Sequence, residues 1–147
     1  QGDMLGQAAM FSTARKVPCE LIALEHSELL LLDRENLLKL LHADSRVLDA
    51  FLTELAEATF QLQWRIELLS YSGIQQKIAF FLLSRSMQSG GDTIRLPGSM
   101  TSWALSMNVS RPSLHRELKA LETRGLIQIA APEITILDRQ ALRQILG

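Results

Sequence analysis

The chain has 147 residues, 47% hydrophobic and 21% charged, a balance that excludes a disordered chain and suits one ordinary domain or two small ones. No apolar stretch reaches the about 18 residues that a membrane span requires. Cys19 is the only cysteine, which excludes an intrachain disulfide and a thiolate-rich metal site from one copy and fits a reducing, cytoplasmic setting. The net charge of −1 conceals an asymmetry: residues 1–72 carry 6 Lys+Arg against 11 Asp+Glu, and residues 73–147 carry 9 against 5. A basic second half behind an acidic first half points to a nucleic-acid partner for one half alone.

Residues 1–32 read as the remnant of a β-rich unit. Gly2, Gly6 and Pro18 punctuate it, and Cys19–Leu24 and Glu28–Leu32 are apolar runs of strand length. Two or three such strands do not make a stable sheet alone, so further strands are expected upstream. Asp33 then caps a short helix with Leu37, Leu38, Leu40 and Leu41 on its apolar face, and His42-Ala43-Asp44 ends it. Ser45 is expected to cap the next helix, over about 45–71.

Along that helix Leu48, Leu52, Leu55, Thr59, Leu62, Ile66 and Leu69 follow one another in alternating steps of four and three. This is a heptad seam with Thr59 as its one polar member, and it favours pairing of two copies over packing within one domain. Phe60 and Trp64 form a second stripe, expected to pack on the protein's own β unit. Tyr71-Ser72-Gly73 reads as a hinge that uses the backbone freedom of Gly73. Ile74–Met87 is a further amphipathic helix with Ile78, Phe81 and Leu82 inward. Gln88–Asp92 is a loop, Thr93–Leu96 a short strand, and Pro97-Gly98 its end.

Residues 99–121 hold the chemistry. Ser99 caps a helix over Met100–Ser106, and Ser110 caps a second one, with Pro112 tolerated in its first turn. Ala104 is small where the two helices approach. Trp103, Met107, Val109, Leu114 and Leu118 supply a shared apolar wedge. This is helix-turn-helix spacing. The second helix is long enough for a major groove, and Arg111 offers the donor fork that guanine's two acceptors match. Arg116, Ser113 and His115 are the other candidate base readers. Ser99, Thr101 and Ser110, at helix starts, and Lys119 are candidate phosphate contacts, with Arg124 adding charge. Gly125–Ile129 and Ile134–Leu137 alternate around a turn as a hairpin, the wing, and Asp138 caps a closing helix over Arg139–Leu146.

The order of these elements resembles the Crp/Fnr family of bacterial transcription regulators. The run SRPSLHREL, Ser110–Leu118, is similar to the family's recognition helix, and LETRGLI, Leu121–Ile127, to its passage into the wing. Gly6-Gln7-Ala8-Ala9-Met10-Phe11 is similar to the turn that forms the phosphate cassette of cyclic-nucleotide-binding members. The resemblance implies a mainly α fold with small β elements. Residues 1–44 would be the end of a β-roll sensor, 45–72 a dimerisation helix and 73–147 a winged helix-turn-helix. It also implies a homodimer on double-stranded DNA under control of an effector in the β-roll, with RNA polymerase as a partner if the protein activates.

The departures are specific. Gln7 stands where nucleotide-binding members carry Glu, and Val17-Pro18 where they carry Arg-Ser or Arg-Thr, with Arg15 and Lys16 offset. A cyclic phosphate needs a positive partner, so cyclic AMP is disfavoured and the effector is left unassigned. Iron–sulfur sensing needs several cysteines. His26 and His42 read as surface histidines in preference to haem ligands. In the recognition helix Pro112 replaces a common Glu, Asn108 replaces the turn glycine, and Glu117 occupies a position where an apolar residue is common. Two rival readings remain: a ligand-sensing or protein-interaction module whose winged unit leaves DNA alone, and an enzyme. No catalytic triad, carboxylate pair, phosphate loop or metal-ligand spacing supports the enzyme.

Overall fold

The computed structural model describes residues 4–13 and 20–147. Backbone contacts divide the chain into two compact units, Gln1–Leu62 and Gln63–Gly147.

In the first unit α1 is one short turn of helix, Gln7–Phe11, entered through Gly6. The second helix, α2 (Arg34–Ala43), starts where an acidic cap predicts, with the Asp33 carboxylate accepting from the Asn36 N–H at 2.8 Å. The long helix α3, Ser45–Ser70, begins in this unit. Its cap is Asp44 rather than the expected Ser45: the Asp44 carboxylate accepts from the Arg46 N–H at 2.9 Å and pairs with the Arg46 guanidinium. A carboxylate accepts more strongly than a hydroxyl and complements the positive end of the helix. Leu37, Leu41 and Phe51 form a small buried cluster against which Met10 and Leu55 pack, with Phe11 edge-on to Phe51 at 5.6 Å.

The expected strands are absent among the described residues of this unit. Residues 20–32 run without ladder hydrogen bonds, and Leu21, Ile22, Leu24 and Leu29–Leu31 lie exposed. A strand exists only through a neighbour that takes its N–H and C=O groups, and apolar alternation cannot supply one. Gly2, Cys19 and Pro18 lie outside the described residues.

The second unit closes its own core. It comprises the end of α3, then α4 (Ile74–Ser89), β1 (Thr93–Arg95), α5 (Met100–Ser106), α6 (Arg111–Thr123), β2 (Ile127–Ala130), β3 (Glu133–Ile136) and α7 (Arg139–Leu146). The three strands form an antiparallel sheet in the order β1-β3-β2, with Ile94 opposite Ile134 and Ile129 also opposite Ile134. The pairing of β1 with the hairpin turns the expected two-stranded wing into a sheet stable enough to frame the helices. Leu68, Ile78, Leu82, Trp103, Met107, Leu114, Leu118, Leu121, Ile127, Ile134 and Leu142 fill the core.

Two local expectations change. Gly73 takes φ −88° and ψ 139°, angles open to every residue, so the hinge does not use glycine's special freedom. The Gly73 N–H instead donates to Gln76 Oε1 at 3.1 Å and starts α4. Trp64 packs on α4, with ring centroids 5.8 Å from Phe80 and 6.0 Å from Phe81, rather than on a β unit. The helix surface of α4 offers it two aromatic faces. Phe60 is exposed.

Candidate nucleic-acid interface

The two helices of the motif start and stop as hydroxyl caps require. Ser99 Oγ accepts from the Ser102 N–H at 3.1 Å and opens α5; Ser110 Oγ accepts from the Ser113 N–H at 3.2 Å and opens α6. Between them Asn108 takes φ +54°, the left-handed turn expected of it. The Val109 N–H closes the turn on the Ala104 carbonyl at 3.0 Å, beneath a fully buried Trp103.

A buried cation holds this turn from below. Lys77 on α4 donates from Nζ to the Met107 carbonyl at 3.1 Å. Its aliphatic stem lies in the core while its head satisfies a carbonyl at the end of α5. Sequence reasoning missed Lys77, since 30 residues separate it from its partner.

Helix α6 is about 20 Å long at 1.5 Å per residue. Leu114, Leu118 and Leu121 bury one face, and Arg111, Pro112, His115, Arg116 and Lys119 stand exposed on the rest. The structure therefore collects four candidate contact residues, Arg111, His115, Arg116 and Lys119, on the solvent side of one helix. Ser113 is half-buried and its hydroxyl is engaged with Ser110 at 2.8 Å, so it serves the cap. Ser99 and Thr101 are exposed at the start of α5, with Ser99 itself committed to its cap.

The arginines are not equivalent. Arg111 makes no hydrogen bond or ion pair among the described residues and is exposed. Arg116 donates from Nε to Glu117 at 3.1 Å. Lys119 pairs with Glu122 at 2.6 Å, and Glu122 also accepts from the Ile129 N–H at 2.9 Å, which ties α6 to the wing. Arg124, expected to add free charge, donates to Gln75 Oε1 at 3.1 Å. Gln75 Nε2 in turn donates to Glu117 Oε2 at 2.9 Å. That hydrogen bond, and then the one from Arg116, hold the Glu117 carboxyl below the usual carboxylate range. Lys119, together with the Ile129 N–H, does the same for Glu122.

Past α6, Gly125 takes φ +73°, which lets the chain reverse into β2. The wing follows with Gln128 opposite Thr135 and Ala130 opposite Glu133. Arg139, at the start of α7, donates to Asp92 and Ser86, which fastens the closing helix to the end of α4. Helix, turn, helix and hairpin in this order define a winged helix-turn-helix.

Elsewhere, Leu48, Leu52, Thr59, Leu62, Ile66 and Leu69 of the heptad seam are exposed and Leu55 is half-buried. Leu62 and Ile66 are 63% and 69% exposed, so the seam is not spent on the chain's own core. His26 is exposed, His42 lies 2.8 Å from the Leu38 carbonyl, and no group of three metal-ligating side chains occurs among the described residues. The expected cassette turn is the helical turn α1; Arg15, Lys16, Val17 and Pro18 lie outside the described residues. No helix among the described residues is long and apolar enough to cross a membrane.

Residues 76–145 match the Crp-like helix-turn-helix domain family. No curated protein matches the chain. Among solved structures the fold is similar to that of FixK2 from Bradyrhizobium japonicum, at 21% identity and a TM-score of 0.64 over 79% of this chain and 60% of that one. It is also similar to a CooA mutant from Carboxydothermus hydrogenoformans, at 16% identity and 0.66 over 78% and 56%. A third is TTHB099, a CRP-family transcriptional regulator from Thermus thermophilus, at 23% and 0.60 over 71% and 55%. The Crp/Fnr resemblance drawn from Ser110–Leu118 and Leu121–Ile127 is borne out. The chain spans about half to three-fifths of these relatives' lengths.

Proposed function

We propose that this chain is the self-pairing and DNA-reading part of a transcription regulator of the Crp/Fnr type. The observation that carries the reading is α6: a buried leucine face seats it, and an unpaired Arg111 opens its exposed N-terminal face. A helix presented in this way enters the major groove with its first residues at base edges. Arg111 takes guanine O6 and N7, His115 and Arg116 extend the readout, and Ser99, Thr101, Ser110 and Lys119 contact phosphates, with Ser113 supporting the Ser110 cap.

In this reading residues 45–72 pair two copies through Leu48, Leu52, Leu55, Thr59, Leu62, Ile66 and Leu69. An exposed apolar seam at heptad spacing supports that pairing. The pair presents two recognition helices to half-sites about 34 Å apart. Residues 1–44 belong to the sensor side. An effector held there shifts the dimer between two geometries by binding one better. The protein works in the cytoplasm, and as an activator it would also contact RNA polymerase.

A salt titration on duplex DNA tests the reading. Affinity should fall steeply and linearly on logarithmic axes as salt rises. Arg111→Ala should cost about 1–3 kcal/mol on a duplex selected by the wild-type chain and relax one base position. Absence of association with duplex at low salt would remove the DNA-binding reading, and equal losses on selected and random duplex would make Arg111 a phosphate clamp.

A further inference from the structure

The recognition helix carries an acid where an apolar residue would seat it, and the structure gives that acid two partners. Glu117 Oε1 accepts from Arg116 Nε at 3.1 Å, and Glu117 Oε2 accepts from Gln75 Nε2 at 2.9 Å. The Glu117 side chain is 21% exposed, against 71% for Arg116. The carboxylate is therefore anchored on the protein side, and the guanidinium is the free end of the pair. Gln75, near the start of α4, cannot turn its amide over. Its Oε1 already accepts from Arg124 Nη1 at 3.1 Å, and a flipped amide would set NH2 against a guanidinium and O against a carboxylate.

We propose that Gln75 and Glu117 form a clasp that withholds Arg116 from the duplex until a cognate site displaces it. Glu117 is then a specificity-determining residue and Gln75 its positioning residue. The inference rests on the DNA-binding reading above. An exposed ion pair is weak enough to yield to the two acceptors of a guanine edge set opposite Arg116 in a cognate groove. Non-cognate sequence offers Arg116 phosphates but no guanine at that place in the groove, so the pair stays closed and one cation is lost to non-specific attraction. The arrangement leaves Arg111 as the cation always available to DNA and Arg116 as the conditional one.

The test uses the 147-residue chain, a duplex selected by it from a random pool, and a scrambled duplex of the same composition. Glu117→Gln keeps the size and a hydrogen bond to Gln75 but frees Arg116. Scrambled-duplex affinity should rise on the order of 3–10-fold, and its salt slope should steepen by about 0.9, the signature of one added phosphate contact. Discrimination between the two duplexes should fall. In an Arg116→Gln background the same Glu117→Gln change should do nothing to the salt slope. A gain that persists there would mean bare repulsion between Glu117 and DNA, and would overturn the clasp.

Gln75→Leu should lower discrimination in the same direction and add nothing in the Glu117→Gln background. If Gln75→Leu instead lowers only the unfolding midpoint, with discrimination intact, its positioning role is lost. Wild-type binding is the control arm. Its absence overturns the DNA-binding reading and the clasp together, whereas wild-type binding with an inert Glu117→Gln overturns the clasp alone.

Discussion

The two units of the chain differ in how much of their leucine they bury. Residues 63–147 bury most of theirs: Leu68, Leu82, Leu114, Leu118, Leu121 and Leu142 are closed off by helices and a sheet, while Leu69, Leu105 and Leu137 stay exposed. Residues 1–62 bury Leu37 and Leu41 around Phe51 and leave Leu24 and Leu31 at 95% and 89% exposure. Composition does not separate the two, since both are leucine-rich. The second unit has helices and strands that cap, pair and cross, so each apolar face meets another. The first has apolar runs with no partner element among its described residues. Burial needs a facing surface, and hydrophobicity alone does not provide it.

The contrast can be broken first in the closed core, where the expected effect is greatest. Leu118→Ala, at a position 1% exposed, should cost about 2–5 kcal/mol by chemical denaturation. A smaller loss would mean that the second unit is less tightly closed than its core implies. Lys77→Met keeps the buried stem but removes the donor to the Met107 carbonyl. It should cost about 1–3 kcal/mol for an unpaired acceptor, read in the same experiment.

Ser110→Ala removes the cap of α6 and should cost about 1 kcal/mol, within the usual range for such caps. It should also loosen amide exchange in the first turn of that helix. Leu31→Ala should stay within about 0.5 kcal/mol in this chain, because the side chain is already solvated. A large loss there would show that residues 20–32 are covered in solution, and the contrast between the units would vanish.

A pH series sharpens the site rather than the core. The Glu117 carboxyl is held below its usual value of 4.5 by Gln75 and Arg116. Its folded value is lower than its unfolded one, so its stabilisation is fully present above about 4.5 and is lost as pH falls through the folded value. The unfolding midpoint of the wild type should therefore exceed that of Glu117→Gln at neutral pH, and the difference should close in acid.

Much of the second unit was legible because its signals are local. Ser99, Ser110 and Asp138 each cap the helix that follows, and Asn108 supplies the left-handed turn. Such features depend on neighbours two or three residues away, which a sequence displays side by side. The fate of Cys19–Leu24 and Glu28–Leu32 was not legible, since a strand's existence depends on a partner that alternation does not name. Nor was that of Trp64, whose stripe position was correct and whose partner was not.

The site divides along the same line. Arg111, His115, Arg116 and Lys119 fall on the exposed face of α6 as their spacing predicts. Their inequality does not follow from spacing. Arg116 is engaged because it meets Glu117, the acid that Gln75, 42 residues earlier, reaches across from α4 to hold. Glu117 carried the one available signal, an acid at a position expected to be apolar.

The sequence by itself determined where helices start, where the chain turns and which face of α6 is greasy, because these are set by hydrogen bonds and periodicities within a few residues. Only the tertiary structure decided that β1 joins the wing, that Lys77 holds the turn and that one arginine of the reading face is already taken. Those outcomes hang on pairs 30 to 42 residues apart. Such contacts form when the whole core closes, and no local preference encodes which of many distant partners will be near.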